Sequence, residues 1–281
     1  MRKAYPSDLS DAQWDLIQPV LPPAKPGGRP RAVDLREVVN TLFYQNRTGC
    51  QWDFLPHDLI PKGTAYDYFK RWYEDGTWQA MVDALRGRIR TEAGREETPS
   101  AACIDTQTVK SSEIGGPVGY DGAKQIKGRK RHIVVDTLGL LMAVVVTPAN
   151  LDDGTHASKV LSQLTPETYP RLKVIFGDNK YNNRTLDRWM EVNEVPYRIE
   201  VGTKREKGAS FKPIKIRWVV ERSHAWLGRS RRSSRDYEYN TSSSETWVRI
   251  AAIQQMLRRL KPDTNNPHPA FKYPKKNKEM A

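Results

Sequence analysis

Two apolar, β-rich runs in this chain of 281 residues stop on an aspartate. Ala101-Ala102-Cys103-Ile104 leads into Asp105, and Lys173-Val174-Ile175-Phe176-Gly177 leads into Asp178. Between them, residues 132–136 and 140–147 form two further β-rich runs joined by Thr137-Leu138-Gly139, which predicts a hairpin. Helical patterns over 156–164 and 184–193, a strand over 197–201 and a long helix over 215–232 complete the series. The order β, β-hairpin, α, β, α, β, α specifies a mixed α/β domain. In an open sheet of this kind, functional side chains gather at the carboxyl ends of strands.

The first hundred residues have a different period. Ser10 and Gln13 form a capping box ahead of Trp14, Ile17 and Leu21, and Pro22-Pro23 stops that helix. A second helix is expected over 34–46. A third begins at Thr64, with Asp67 completing another capping box, and a fourth covers 77–90. Tyr68, Phe69, Trp72 and Trp78 fall at core spacing. Residues 91–100 read as a polar linker, so the expected division is 1–95, 96–260 and a basic, disordered tail over 261–281.

Charge separates the chain further. Residues 1–100 carry 14 basic and 14 acidic side chains, 101–200 carry 13 and 12, and 201–281 carry 19 and 7. Nearly all of the formal +13 therefore lies in the last 81 residues, which points to a polyanion as partner. Two cysteines provide no disulfide framework and imply a reducing compartment. No apolar run approaches the ~20 residues of a membrane span, and the N-terminus has no apolar leader. The expectation is a soluble cytoplasmic protein, with no membrane partner.

A third carboxylate, Glu221, sits in the long helix. Converging with Asp105 and Asp178, it would supply hard oxygen ligands for Mg²⁺. Two such ions ~3.5–4 Å apart activate an attacking oxygen and stabilise a leaving one, as DNA cutting and rejoining requires. The alternatives are structural: a turn opened by Asp105, a helix cap at Asp178, and a Glu221–Arg217 pair at i−4. Arg217, Glu221, His224 and Gly228 share a helix face. Arg217 is thereby a candidate phosphate clamp, and His224 a polar residue packing under the site. Trp218 and Trp226 are expected in the core.

Three strings carry a resemblance: Asp105-Thr106-Gln107-Thr108-Val109-Lys110, Gly177-Asp178-Asn179-Lys180-Tyr181-Asn182 and Arg217-Trp218-Val219-Val220-Glu221-Arg222. They resemble the motif blocks of the DDE transposases of bacterial insertion sequences, in the superfamily of insertion sequences four and five. Residues 120–132 and 136–140 resemble the same family, as do Leu9-Ser10-Asp11-Ala12-Gln13-Trp14 and Cys50-Gln51-Trp52-Asp53-Phe54-Leu55-Pro56. The resemblance covers about residues 5–260. It implies a ribonuclease-H-like catalytic domain preceded by a small all-α, helix-turn-helix-like domain. It also implies Asp105, Asp178 and Glu221 as catalytic and metal-binding residues for two Mg²⁺ ions, with Mn²⁺ as a substitute. In this superfamily a Tyr, an Arg and a Lys accompany the Glu. Here the Arg is Arg217, while Ile214 and Gly228 occupy the other two positions.

Lys70 and Arg71, on the expected recognition helix, are candidate DNA contacts. Stronger candidates are two basic runs, Lys127, Arg129, Lys130 and Arg131, and then Arg229, Arg231 and Arg232, which would flank the metal site and hold DNA across it. Gly28-Arg29-Pro30-Arg31 is a weaker minor-groove candidate, with a solvated loop as its alternative. The implied function is an insertion-sequence transposase acting as a homodimer on nucleoid DNA. It would bind terminal inverted repeats, cleave the element ends and join the 3′-hydroxyls to target DNA. The alternatives are a nuclease without strand transfer and a catalytically inactive DNA-binding regulator.

Overall fold

The computed structural model describes residues 2–24, 27, 31–202 and 215–262. Its N-terminal part contains α1 (Asp11–Ile17), α2 (Leu35–Thr48), α3 (Lys62–Glu74) and α4 (Thr77–Glu92). The capping box of α1 is present, with Ser10 and Gln13 satisfying each other's backbone. At α3 the expected box is absent. The helix begins two residues earlier, behind Pro61, so Thr64 lies inside the first turn rather than at the cap.

The α/β part contains β1 (Ala101–Lys110), β2 (Gly119–Asp121), β3 (Ile126–Asp136), β4 (Leu141–Pro148), α5 (Ala157–Leu161), β5 (Val174–Gly177), α6 (Arg184–Val192), β6 (Arg198–Val201) and α7 (Trp218–Leu227). The strands form one mixed sheet in the order β2-β3-β1-β5-β6, with β4 paired to β3. β1 is antiparallel to β3 and parallel to β5, and β6 continues parallel to β5. The hairpin joining β3 and β4 turns at Gly139, whose φ of 80° suits a residue without a Cβ. β1 runs on through Asp105 to Lys110, and β3 begins at Ile126 rather than near 132. The helix expected over 215–232 is shorter: a 3₁₀ turn, then α7, then a second 3₁₀ turn at Arg231–Ser233.

Alternation along the strands divides the side chains between two layers. Ala102, Ile104, Val134 and Ile175 pack against Val160 and Leu161 of α5 and Leu186 of α6. Cys103, Ile133, Val135 and Val144 face the other way, onto α4, α7 and a final helix, α8 (Thr241–Leu260). Sequence reasoning did not single out α8. It is buried on most of its sides, by Trp247, Val248, Ile250, Ile253, Met256 and Leu257 and also by the polar Ser244, Glu245, Arg249 and Gln254.

α8 also completes the N-terminal bundle. Asn46 Nδ2 of α2 donates to Gln254 Oε1 at 2.6 Å, Tyr73 Oη of α3 to Glu245 Oε2 at 3.1 Å, and Gln13 Nε2 of α1 to Lys261 O at 2.8 Å. One hydrophobic core thus runs from Ile17, Leu42, Trp72 and Trp78 through α8 to the sheet. The expected aromatic core residues are in it, with Tyr68, Phe69, Trp72 and Trp78 all buried. Residues 28–30, Ile214 and the expected tail lie outside the described residues, apart from Lys261 and its neighbour.

Candidate active site

The parallel pairing of β1 with β5 sets Ala101 opposite Val174, Ala102 opposite Ile175 and Cys103 opposite Phe176. Two residues beyond the last of these pairs lie Asp105, in the middle of β1, and Asp178, just past the end of β5. By strand parity Asp105 faces the same layer as Cys103, the layer that contains α7. Asp178 leaves its strand and caps a 3₁₀ turn, with its Oδ1 accepting the Lys180 N–H at 3.0 Å. The cap expected as a structural alternative is therefore present, and it fixes the carboxylate at the strand end.

α7 carries the third carboxylate, Glu221. Val220, Ser223 and Leu227 are buried against the sheet, and Ser223 Oγ donates to Gly139 O at 2.8 Å. That anchoring turns Arg217, Glu221 and His224 towards one edge of the helix. His224 is buried, its Nε2 lies 3.4 Å from Asp105 Oδ2, and neither ring nitrogen has a hydrogen-bond partner among the described residues. Glu221, one turn before it, is exposed. Among the described residues no ion pair joins Arg217 to Glu221, and Arg217 Nε is buried without a hydrogen-bond partner.

A polar column lies on the opposite face of the sheet, directly behind the aspartates. Tyr181 Oη is hydrogen-bonded to Thr106 Oγ1 at 3.1 Å, Thr106 to His132 Nδ1 at 3.0 Å, and His132 Nε2 to Thr147 Oγ1 at 2.9 Å. Burial pushes the Tyr181 hydroxyl well above the ordinary tyrosine range, and the nearby Asp105 and Asp178 charges add to that. Burial also holds His132 down at about 4, so the ring is neutral. Thr106 and Tyr181 lie inside the two aspartate motifs. Their coupling to His132 depends on the β1–β3 register, which spacing alone does not supply.

The donor set suits a divalent cation: three carboxylates supply hard oxygens, and a buried imidazole stands beside one of them. Among the described residues, however, no three ligating groups stand close enough together to hold an ion.

The basic candidates divide. Lys127, Arg229, Arg231, Lys70 and Arg71 are exposed, although Lys70 lies 3.6 Å from Glu74 and Arg71 rests on the Tyr68 ring. Arg129, Lys130, Arg131 and Arg232 are buried in internal contacts, which corrects their reading as DNA contacts. Strand alternation explains the first three. Arg129 and Arg131 point to the α8 side, where Arg129 Nη1 meets Asp236 Oδ1 at 2.9 Å and Arg131 Nη1 donates to Ser233 O at 2.7 Å. Lys130 points to the other side and pairs with Asp153 at 2.8 Å. Arg232 pairs with Glu238 and donates to Cys50 O at 3.0 Å. The tryptophans of α7 are corrected as well: Trp218 is 55% exposed and Trp226 half-buried. Their positions fall on the side of α7 turned away from Val220 and Ser223.

Residues 96–256 match the family described as the transposase DDE domain. The chain belongs to the DDE transposase family. Its mixed sheet, with β1 central and helices packed against it, is the ribonuclease-H-like arrangement of that family. Residues 9–82 match a second family, described as a transposase of the IS4/5 family. Similar proteins include the transposase assigned to insertion sequence element IS402 of Burkholderia cepacia. It is 32% identical over 124 residues, which cover 42% of this chain and 56% of that protein. An uncharacterized 16.2 kDa protein of the same element is 27% identical over 119 residues, covering 40% of this chain and 78% of its own length. The match thus spans little more than half of the first relative. No described helix is long and apolar enough to cross a membrane.

Proposed function

We propose that the chain is an insertion-sequence transposase that cleaves DNA at the ends of its element and joins the freed 3′-hydroxyls to target DNA. The observation that supports this reading is that the adjacent parallel strands β1 and β5 carry Asp105 and lead into Asp178, while α7, which carries Glu221, packs against Asp105 through His224.

In this reading Asp105, Asp178 and Glu221 hold two divalent ions, Mg²⁺ or in its place Mn²⁺. When bound, the ions supply Lewis-acid chemistry to the phosphodiester. The protein's own contribution is positional. Tyr181 and Thr106 stiffen the strand ends from behind, and His224 fixes the orientation of the Asp105 carboxylate. Arg217, on the same edge of α7 as Glu221, is placed to meet a phosphate oxygen. Lys127, Arg229 and Arg231 hold the backbone nearby, while Lys70 and Arg71 of α3 serve recognition of the terminal inverted repeats. Bringing two ends together calls for two copies of the chain, and the work takes place on cytoplasmic, nucleoid-associated DNA.

The test is an incubation with Mg²⁺, a linear DNA carrying the element's ends and a target plasmid. Joined products are expected. Cut ends alone would indicate a nuclease without strand transfer, and shifted but intact DNA a binding protein.

A further inference from the structure

The flank of α7 turned away from the carboxylates carries a separate feature. Trp218, Arg222 and Trp226 follow one another at intervals of four and form a stripe along the helix. The Arg222 guanidinium lies 4.4 Å from the Trp218 ring centroid and 4.3 Å from that of Trp226. Arg222 Nη2 also donates to Leu138 O at 2.9 Å.

This stripe is one wall of a groove of about 1060 Å³. Arg47 of α2, Arg229 beyond α7, and Arg258 and Arg259 of α8 also line it, and no carboxylate among the described residues does. The approach of Arg259 to Arg222 opposes folding. Burial and the neighbouring Arg259 charge together push the Arg222 guanidinium below its ordinary value. Such repulsion is compensated when an anion enters. Because the cations come from three helices along an open groove, an extended polyanion fits them better than a single small anion.

We infer that this groove is a track for the DNA backbone, distinct from the catalytic carboxylates, in which Arg222, Arg229 and Arg259 meet successive phosphates. The inference rests on the proposed function for the identity of the polyanion. The indole faces turned towards Arg222 are already occupied, so the two tryptophans hold its planar guanidinium in place by cation–π stacking. The track therefore senses charge rather than base identity. Glu221 and Arg222 are consecutive residues, so DNA in the groove passes over α7 from the catalytic edge to the basic one.

The experiment measures binding of a short fluorescein-labelled duplex of arbitrary sequence, and of its single strand, to the full chain in EDTA across a sodium chloride series. Without divalent ions no cleavage occurs, so the readout is independent of catalysis. Arg259→Gln is the principal variant because Arg259 is exposed and its loss leaves the packing intact. It is expected to weaken duplex binding equally for unrelated sequences and to lower the slope of log K against log[salt] by about one. Trp218→Leu is expected to weaken binding while leaving that slope unchanged, because it loosens Arg222 without removing charge.

If the wild-type chain binds duplex but Arg259→Gln and Arg229→Gln both leave affinity and slope unchanged, the groove is not the track, and of the proposed function only the backbone contact of Arg229 falls with it. A loss confined to one sequence, or a strong preference for the single strand that Trp218→Leu abolishes, would overturn the charge-only reading. Failure of the wild-type chain to bind any DNA at low salt would overturn both proposals.

Discussion

At the scale of single residues, the site is a question of what each carboxylate is free to do. The Asp105 side chain touches His224 and carries no hydrogen bond that the fold depends on. Asp105→Asn is therefore expected to lower cleavage and joining by roughly 10³-fold and to leave the urea midpoint unchanged. Intact activity in that variant would remove Asp105 from the chemistry. His132 behaves in the opposite way, as part of the fold. Its pKa stands at about 4 when folded, against ~6.5 in an unfolded chain. Between those values the unfolded chain binds the extra proton. The stability linked to neutral His132 is thus complete above about pH 6.5 and is lost as pH falls towards 4. Denaturation at pH 7 and pH 4.5 should show a shallower fall in His132→Gln than in the wild-type chain, and equal falls would refute the assignment. The carboxylates were legible from sequence because each follows a recognisable apolar run. The supporting Tyr181, Thr106 and His132 were not, because a hydrogen bond between residues 75 apart exists only once the strands pair.

At the scale of elements, a run of basic residues means different things in a loop and in a strand. Lys127 to Arg131 reads as a phosphate-binding patch only if the chain is extended in solvent. In β3 its residues Arg129, Lys130 and Arg131 alternate between two buried layers, and Lys127 alone is exposed. Arg129 is fully buried, and besides Asp236 it serves Ser244 Oγ, Pro117 O and Tyr239 O. Arg129→Met would leave Asp236 buried and uncompensated, with an expected loss of about 3–5 kcal/mol measured by urea denaturation. A loss within experimental error would return Arg129 to the surface. The β3–β4 turn offers a second test. At Gly139 an added Cβ would lie 2.9 Å from Ser223 Oγ, and φ is already 80°. Gly139→Val is expected to destabilise the chain and displace α7, reducing cleavage along with thermal stability. The strand and helix order was readable because periods of two and of about four survive in the sequence. The inward course of the basic run was not readable, since charge gives no sign of which side chains find a buried partner.

At the scale of the whole molecule, two segments that match separate families share one interior. Residues 9–82 supply α1 to α3 and the start of α4, yet the face they bury is completed by α8, most of which lies in the segment that matches the DDE domain. A fragment ending near residue 95 is expected to lack the sharp amide dispersion of a folded domain, whereas the full chain melts in a single transition. A well-folded fragment would show that α8 is dispensable to the bundle. The sequence pattern located the change in period near residue 100. It did not reveal that the last helix returns to the first ones, because Gln254 and Glu245, which bond to α2 and α3, look in sequence like ordinary surface polar residues.

That return sets an order on the chain's own synthesis. The N-terminal helices leave the ribosome first, but the groups they require, Trp247, Gln254 and Met256 among them, are translated last. Until then the nascent bundle has an open apolar side. A message broken before codon 241 therefore leaves the N-terminal helices without the helix that closes their core. In this chain the bundle and the sheet are joined only when translation reaches the end of α8.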